Sequence, residues 1–399
     1  MTFGVRLLGA VLALVSSIIT ARTLGPEGRG VFAAATALAG IGLQLSTLGL
    51  QSSNTYYVSI DRKLLKPILA NAALVMLVVG GLVSAFLWIY ATATGLDESV
   101  GSIPLAWALA AIPASLGYTL FSSLLVPLGQ IRRLNAIEMG YKVAALAFVA
   151  AAAFLGFRPP EASLAASLLA PAFALLASAA SVGFTPAVAL AASPSLLLRQ
   201  FPYALRAFLA SFFAFVLVRI DMLMVQAISG NAEAGHYAIA VAMADMIYML
   251  PAAAAALLFP RLVESKDIAV RRSLTLRMLA GVAAATGALA LAGAVLAEWA
   301  VVLLYGPDFA SAASMFRVLA MAIALYGANN VVSNFFAAQG FPWGAVWVWA
   351  MGVIVNVLLN LALIPSMGGI GAAWASVAGY GVVLAVQLAM MAQMKGARR

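Results

Sequence analysis

The chain is 399 residues long, 65% hydrophobic and only 9% charged, with a mean hydropathy of +1.06. So much apolar side chain excludes a soluble protein of this length and places it in a membrane. Cysteine is absent and histidine occurs once, which removes disulfides, thiolate metal sites and relays built on several histidines, while the formal charge of +9 punctuates apolar runs as topology signals do rather than forming a nucleic-acid surface.

Taken in chain order, twelve apolar runs can be drawn, at 3–23, 31–58, 68–94, 103–128, 137–157, 162–186, 203–228, 236–260, 274–304, 312–338, 343–364 and 372–394. Each has about the ~20 residues needed to cross a bilayer. The first lacks a small-residue cleavage site followed by a soluble domain and is read as a retained helix. With the amino terminus inside, the cytoplasmic loops hold Arg62, Lys63, Lys66, Arg132, Arg133, Arg199, Arg261, Lys266, Arg271, Arg272, Lys395, Arg398 and Arg399. The opposite loops hold Arg29 and Arg158 with Glu27, Asp97, Glu98, Glu161, Glu233 and Asp308. This asymmetry predicts that both termini are cytoplasmic. Reporters fused after Lys66, Arg133 and Arg272 are expected inside and those after Asp97, Glu161 and Asp308 outside; an external reporter at Arg272 would overturn the topology.

Loop sequences recur. Gly25, four residues, then Gly30-Val31-Phe32-Ala33 returns as Gly230, four residues, then Gly235-His236-Tyr237-Ala238, 205 positions on. Gly95-Leu96-Asp97 is echoed by Gly306-Pro307-Asp308, and Leu128-Gly129-Gln130 by Gln339-Gly340-Phe341, each 211 positions on. The echoes keep their order without inversion. They predict an all-α protein of two six-helix lobes related by a pseudo-two-fold along the membrane normal, as in many secondary transporters. No loop is long enough to be a domain. The longest non-helical stretch, 187–202, is flanked or interrupted by Pro186, Pro194 and Pro202 and is read as a cytoplasmic linker between a lobe at 1–186 and a lobe at 203–399.

Chemistry must then lie at membrane depth. Arg6, Gly9, Ala13, Ser16 and Thr20 share a face of the first helix; Gln44, Thr47, Gln51 and Asn54/Thr55 do so in the second. Tyr326, Asn330 and Asn334 line a face of the tenth, and Gly352, Asn356 and Asn360 a face of the eleventh. Such stripes serve either a wet cavity or helix packing. Arg219, Asp221 and Asp245 fall inside apolar runs, where an ionised group costs ~2.5–3.5 kcal/mol and faces a cavity or a partner. Arg219 and Asp221 lie too far around one helix to pair, whereas Arg219 and Asp245 sit at matching depth on antiparallel neighbours. Either a structural ion pair or a functional one fits. Lys142, near the drawn start of the fifth helix beside Glu138 and Tyr141, is read as an interfacial anchor; Trp343, Trp347 and Trp349 as an interfacial belt; and His236 as a polar cap.

Several segments resemble one family. Thr23-Leu24-Gly25-Pro26-Glu27-Gly28-Arg29-Gly30-Val31-Phe32, Asp221-Met222-Leu223-Met224, Gly235-His236-Tyr237 and Leu258-Phe259-Pro260-Arg261 are similar to stretches of the multidrug/oligosaccharidyl-lipid/polysaccharide (MOP) exporter superfamily, polysaccharide-transporter branch, which includes the O-antigen flippases. So are Tyr305-Gly306-Pro307-Asp308-Phe309, Asn356-Val357-Leu358-Leu359-Asn360, Ile364-Pro365 and Gly368-Gly369-Ile370-Gly371-Ala372-Ala373.

The resemblance implies a cofactor-free, monomeric flippase of the cytoplasmic membrane. Its partners would be an undecaprenyl-diphosphate-linked oligosaccharide, the phospholipid bilayer and other polysaccharide-assembly membrane proteins, with no nucleic acid. A cation-coupled exporter of small cationic drugs from the same superfamily is the alternative; a polymerase or ligase would need an external loop bearing acid-base residues, which is missing. Cavity charge separates the first two. A diphosphate favours Arg6, Arg22, Arg206, Arg219 and Arg317, with Gln44, Gln51, Asn54, Asn330, Asn334, Asn356 and Asn360 as polar lining. A cationic drug favours Asp221 and Asp245, which are also the candidates for counter-ion or ion coupling.

Overall fold

Hydrocarbon offers no partner to a backbone N–H or C=O, so a chain this apolar must satisfy its backbone internally. The computed structural model describes residues 3–155, 160–265, 267–340 and 342–394, and every regular element among them is helical. Arg158, Lys266, Phe341, Lys395, Arg398 and Arg399 lie outside the described residues. The helices are α1 (Phe3–Thr47), α2 (Leu50–Ile60), α3 (Leu65–Thr94), α4 (Leu96–Val100), α5 (Ser102–Ser123), α6 (Ile131–Phe154), α7 (Pro160–Ser181), α8 (Pro186–Ala189), α9 (Pro194–Ser229), α10 (Asn231–Glu264), α11 (Ile268–Tyr305), α12 (Ala312–Ala337) and α13 (Trp343–Gln393).

Among the described residues, nine helical segments are long and apolar enough to cross a membrane. Two of these are double. Leu8–Ile60 bends at Gly25 and α13 bends at Gly368, both glycines holding positive φ (67° and 55°) that a side chain would oppose. With α7, whose described apolar part is Leu168–Ser181, these make the twelve crossings expected from sequence. Large apolar side chains point outward along them, as on α3 (Leu77, Leu82, Phe86, Ile89) and α11 (Leu291, Val295, Trp299). In water such stripes would be a liability; here they are the lipid-facing surface.

The chain forms two compact units, Met1–Phe212 and Phe213–Arg399, dividing within α9. In the first, α5 is the hub, touching α1, α2, α3 and α7 around a core of Ile68, Leu69, Leu116, Leu120 and Phe121. In the second, α12 is the hub against α10, α11 and α13, with Val331, Val332, Phe335 and Phe336 fully buried. Small residues allow these close approaches. A Cβ on Gly117 would strike Met76 and Leu175, and one on Gly327 would strike Pro251.

The loop echoes have a backbone counterpart. Gly25 and Gly230 share φ of 67° and 86° with ψ of −179° and 176°, a conformation open to glycine almost alone. Gly129 and Gly340 have φ of 74° and 82°, and each donates its N–H to the carbonyl three residues back at 3.0 Å.

Four sequence expectations change. The segment after Gly25 is helix rather than loop: Pro26 suits the first position of a helix, and Arg29 lies buried one turn further on. The second apolar run breaks at Leu48–Gly49, both at positive φ, so its polar stripe is divided between α1 and α2. The 187–202 stretch is largely helical, with Pro202 inside α9. Its turn is clamped by Asn71, which donates from Nδ2 to the Ser193 carbonyl at 2.9 Å and accepts from the Ser193 N–H at 2.8 Å. Finally, α6 begins at Ile131, so Lys142 sits about 16 Å along its axis at 1.5 Å per residue, well inside the helix rather than at its end.

Candidate functional site

Arg219, Asp221 and Asp245 separate into two environments, and α9 creates the separation. Arg219 and Asp221 are two apart, so they leave the helix on nearly opposite faces. The Arg219 guanidinium Nη2 donates to Asp245 Oδ2 of α10 at 3.2 Å, with 35% and 37% of the two side chains exposed. This is the pair that matching depth predicts. Next to it on α10, Tyr248 receives the Asn330 amide of α12, and its ring lies 4.9 Å from that of Tyr326. Tyr326 in turn meets Tyr380 at 5.2 Å and Trp349 at 6.2 Å, both of α13. These four aromatic rings, drawn from three helices, form one cluster around Tyr326.

Asp221 is buried instead. Its carboxylate accepts from the Tyr237 hydroxyl, from Ser376 Oγ at 3.2 Å and from the Met222 backbone N–H at 2.8 Å. Asn356 Nδ2 lies 3.5 Å from the same serine, and Asn360 Nδ2 donates to Asn356 Oδ1 at 2.9 Å. All of these side chains are sealed from the surface. Three donors satisfy the carboxylate where water cannot, which is the requirement for burying it. Asp221 is accordingly not the partner of Arg219, and Asn356 and Asn360 lie in packing rather than along a cavity.

The other residues singled out from sequence are dispersed. Arg317 is exposed, donating to the Ala294 carbonyl at 3.2 Å and meeting Glu298 at 3.6 Å. Asn334 donates to the Ala255 carbonyl at 3.3 Å. In the first unit, Gln44 donates to Ser211 Oγ at 3.0 Å and the buried Asn54 accepts from Gln200 at 3.0 Å, so this stripe serves contacts with α9. Gln51 is half-buried and Arg22 exposed. The side chains of Arg6 and Arg206 lie outside the described residues. The proposed tryptophan belt splits: Trp343 and Trp347 are exposed, whereas Trp349 is buried against Tyr326. His236 Nε2 lies 3.0 Å from the Asp308 carbonyl and its ring meets Phe309 edge-on, so it joins α10 to the turn before α12. Sequence reasoning missed Tyr237, Tyr248, Ser376 and Tyr380, since nothing in their spacing ties them to Asp221 or Arg219. Among the described residues, no three His, Asp or Glu side chains gather as a metal site.

A family model described as polysaccharide biosynthesis protein matches residues 1–266, about two thirds of the sequence. The chain belongs to that family. No curated protein matches the sequence. Among solved structures, the lipid II flippase MurJ in an inward closed conformation matches with a TM-score of 0.76 at 13% identity, over 98% of this chain and 88% of that one. An inward-facing multidrug resistance MATE transporter of the MOP superfamily matches with a TM-score of 0.76 at 14% identity, over 98% of both chains. A MOP superfamily transporter from Pyrococcus furiosus, described as having a binding pocket of reversed polarity, matches with a TM-score of 0.62 at 14% identity over 98% of both chains. The chain thus has the two-lobe MOP fold and is a multi-pass membrane protein.

Proposed function

We propose that the protein is a flippase that carries an undecaprenyl-diphosphate-linked oligosaccharide from the inner to the outer leaflet of the cytoplasmic membrane by alternating access. The observation that carries this reading is the charge of the second unit. Asp221 is buried and already held by three donors, and Asp245 is paired with Arg219. A cationic drug would find no uncommitted carboxylate at this pair. A diphosphate would find a guanidinium, whose fork presents five N–H donors and of which the contact with Asp245 uses one arm. Membership of the polysaccharide biosynthesis family supports the same cargo.

Transport then follows from exchange. An arriving diphosphate competes with Asp245 for Arg219, and re-formation of the ion pair releases the cargo on the far side. The prenyl tail remains in lipid throughout, so the protein needs to shelter only the sugar and the diphosphate.

The competing reading, a cation-coupled drug exporter, draws on the same fold. Deleting the gene separates the two. Loss of surface polysaccharide with accumulation of lipid-linked repeat units is expected; unchanged polysaccharide with heightened sensitivity to cationic drugs would overturn the flippase.

A further inference from the structure

The first unit holds a second cationic feature that the site above does not use. The bend at Gly25 folds the latter half of α1 back toward the former, and α6 closes the angle. Between them lies a pocket of about 290 Å³, where one water needs only ~10–15 Å³. Its polar lining is Ser16, Ser17, Thr20, Arg29, Tyr141 and Lys142.

Each cation is positioned by the fold. Arg29 is only 9% exposed; it donates from Nη2 to Ser17 Oγ at 3.3 Å and lies over the Phe32 ring at 5.3 Å. Lys142 lies against Gly9, where an added Cβ would collide with its ammonium, and it meets Glu138 at 3.6 Å. Tyr141 stacks on Tyr118 with centroids 5.6 Å apart. In a pocket otherwise lined by Leu12, Ala13, Phe32 and Ala145, a guanidinium, an ammonium, two serine hydroxyls and a phenol are the groups that can donate to an oxyanion.

We propose that this pocket binds a phosphate group, with Arg29 and Lys142 as its cationic arms and the Ser16 and Ser17 hydroxyls as neutral donors, the Thr20 hydroxyl being committed to the Ser16 carbonyl. In the flippase reading the group belongs to the diphosphate of the lipid-linked cargo, a step that rests on the proposed function. A membrane phospholipid headgroup offers the same chemistry, and the experiment tells the two sources apart.

The full chain is purified in detergent free of phospholipid and titrated with inorganic pyrophosphate, with binding followed calorimetrically and by the shift in melting temperature. Lys142→Met keeps the aliphatic stem but not the charge, and Gly9→Leu keeps the charge but displaces the ammonium. Binding to the unaltered chain, weakened at least tenfold in both variants, is the expected result. Lys142→Arg is expected to retain most of it. Absence of pyrophosphate binding, or binding to Lys142→Met and Gly9→Leu as tight as to the unaltered chain, would overturn the proposal. Displacement of pyrophosphate by farnesyl diphosphate but not by phosphatidylglycerol assigns the pocket to cargo; displacement by phosphatidylglycerol supports the site and assigns it to bilayer lipid. Because binding is read without transport, a positive result survives failure of the flippase reading.

Discussion

Arg219→Ala is expected to bring flipping to background, a loss of at least a hundredfold, while protein abundance stays near that of the unaltered chain. About a third of the Arg219 side chain is open and its ion pair is no more buried than that, so the fold depends on it little. The binding of a diphosphate depends on it fully. Arg219→Lys is expected to recover only a small part of the activity, since a point charge lacks the bidentate fork. The double variant Arg219→Ala with Asp245→Ala separates function from structure. Were the pair merely structural, the damage would come from the orphaned carboxylate, and removing both partners would restore transport. Transport of lipid-linked oligosaccharide in vesicles, measured for both variants, checks this. Recovery in the double variant would reduce Arg219 to a structural residue.

The opposite pattern is expected for Asp221, two residues away. Asp221→Ala leaves the buried hydroxyls of Tyr237 and Ser376 without their acceptor, at about 1–3 kcal/mol for each unsatisfied group. It also leaves a void between α9, α10 and α13. Protein abundance should fall several-fold and the melting temperature in detergent should drop by several degrees, with transport falling in proportion to abundance. Asp221→Asn, which keeps the volume and one acceptor oxygen, is expected to lie between. Fluorescence size-exclusion profiles and thermal melts of the variants measure both effects. A stable, abundant Asp221→Ala protein that fails to transport would instead make Asp221 a functional acid.

These contrasting expectations mark the limit of one-dimensional reading. Hydropathy gives each span because crossing hydrocarbon is a local demand, met by ~20 consecutive apolar residues whatever surrounds them. The repeat is equally local: glycine appears where the chain takes positive φ, at Gly25 and Gly230 and again at Gly129 and Gly340, so the same bends leave the same letters. The Arg219–Asp245 pair is visible for a related reason. Two adjacent antiparallel helices place residues equidistant from their connection at one depth, and an intramembrane charge requires a partner.

Burial at a given depth is not local. Arg29 reads as a loop residue until the bend at Gly25 turns it into the first unit, and Lys142 reads as lying at the end of its helix although α6 begins at Ile131. Asn356 and Asn360 share a stripe pattern that suits a cavity or a packed interface equally; Ser376 and Asp221 decide for packing. Hydropathy and local pattern thus carry the membrane class, the two-lobe all-helical fold and one ion pair. Which polar faces are sealed and which stay open depends on packing, because a helix displays its polar residues by period alone while their exposure depends on what the neighbouring helices bring against that face.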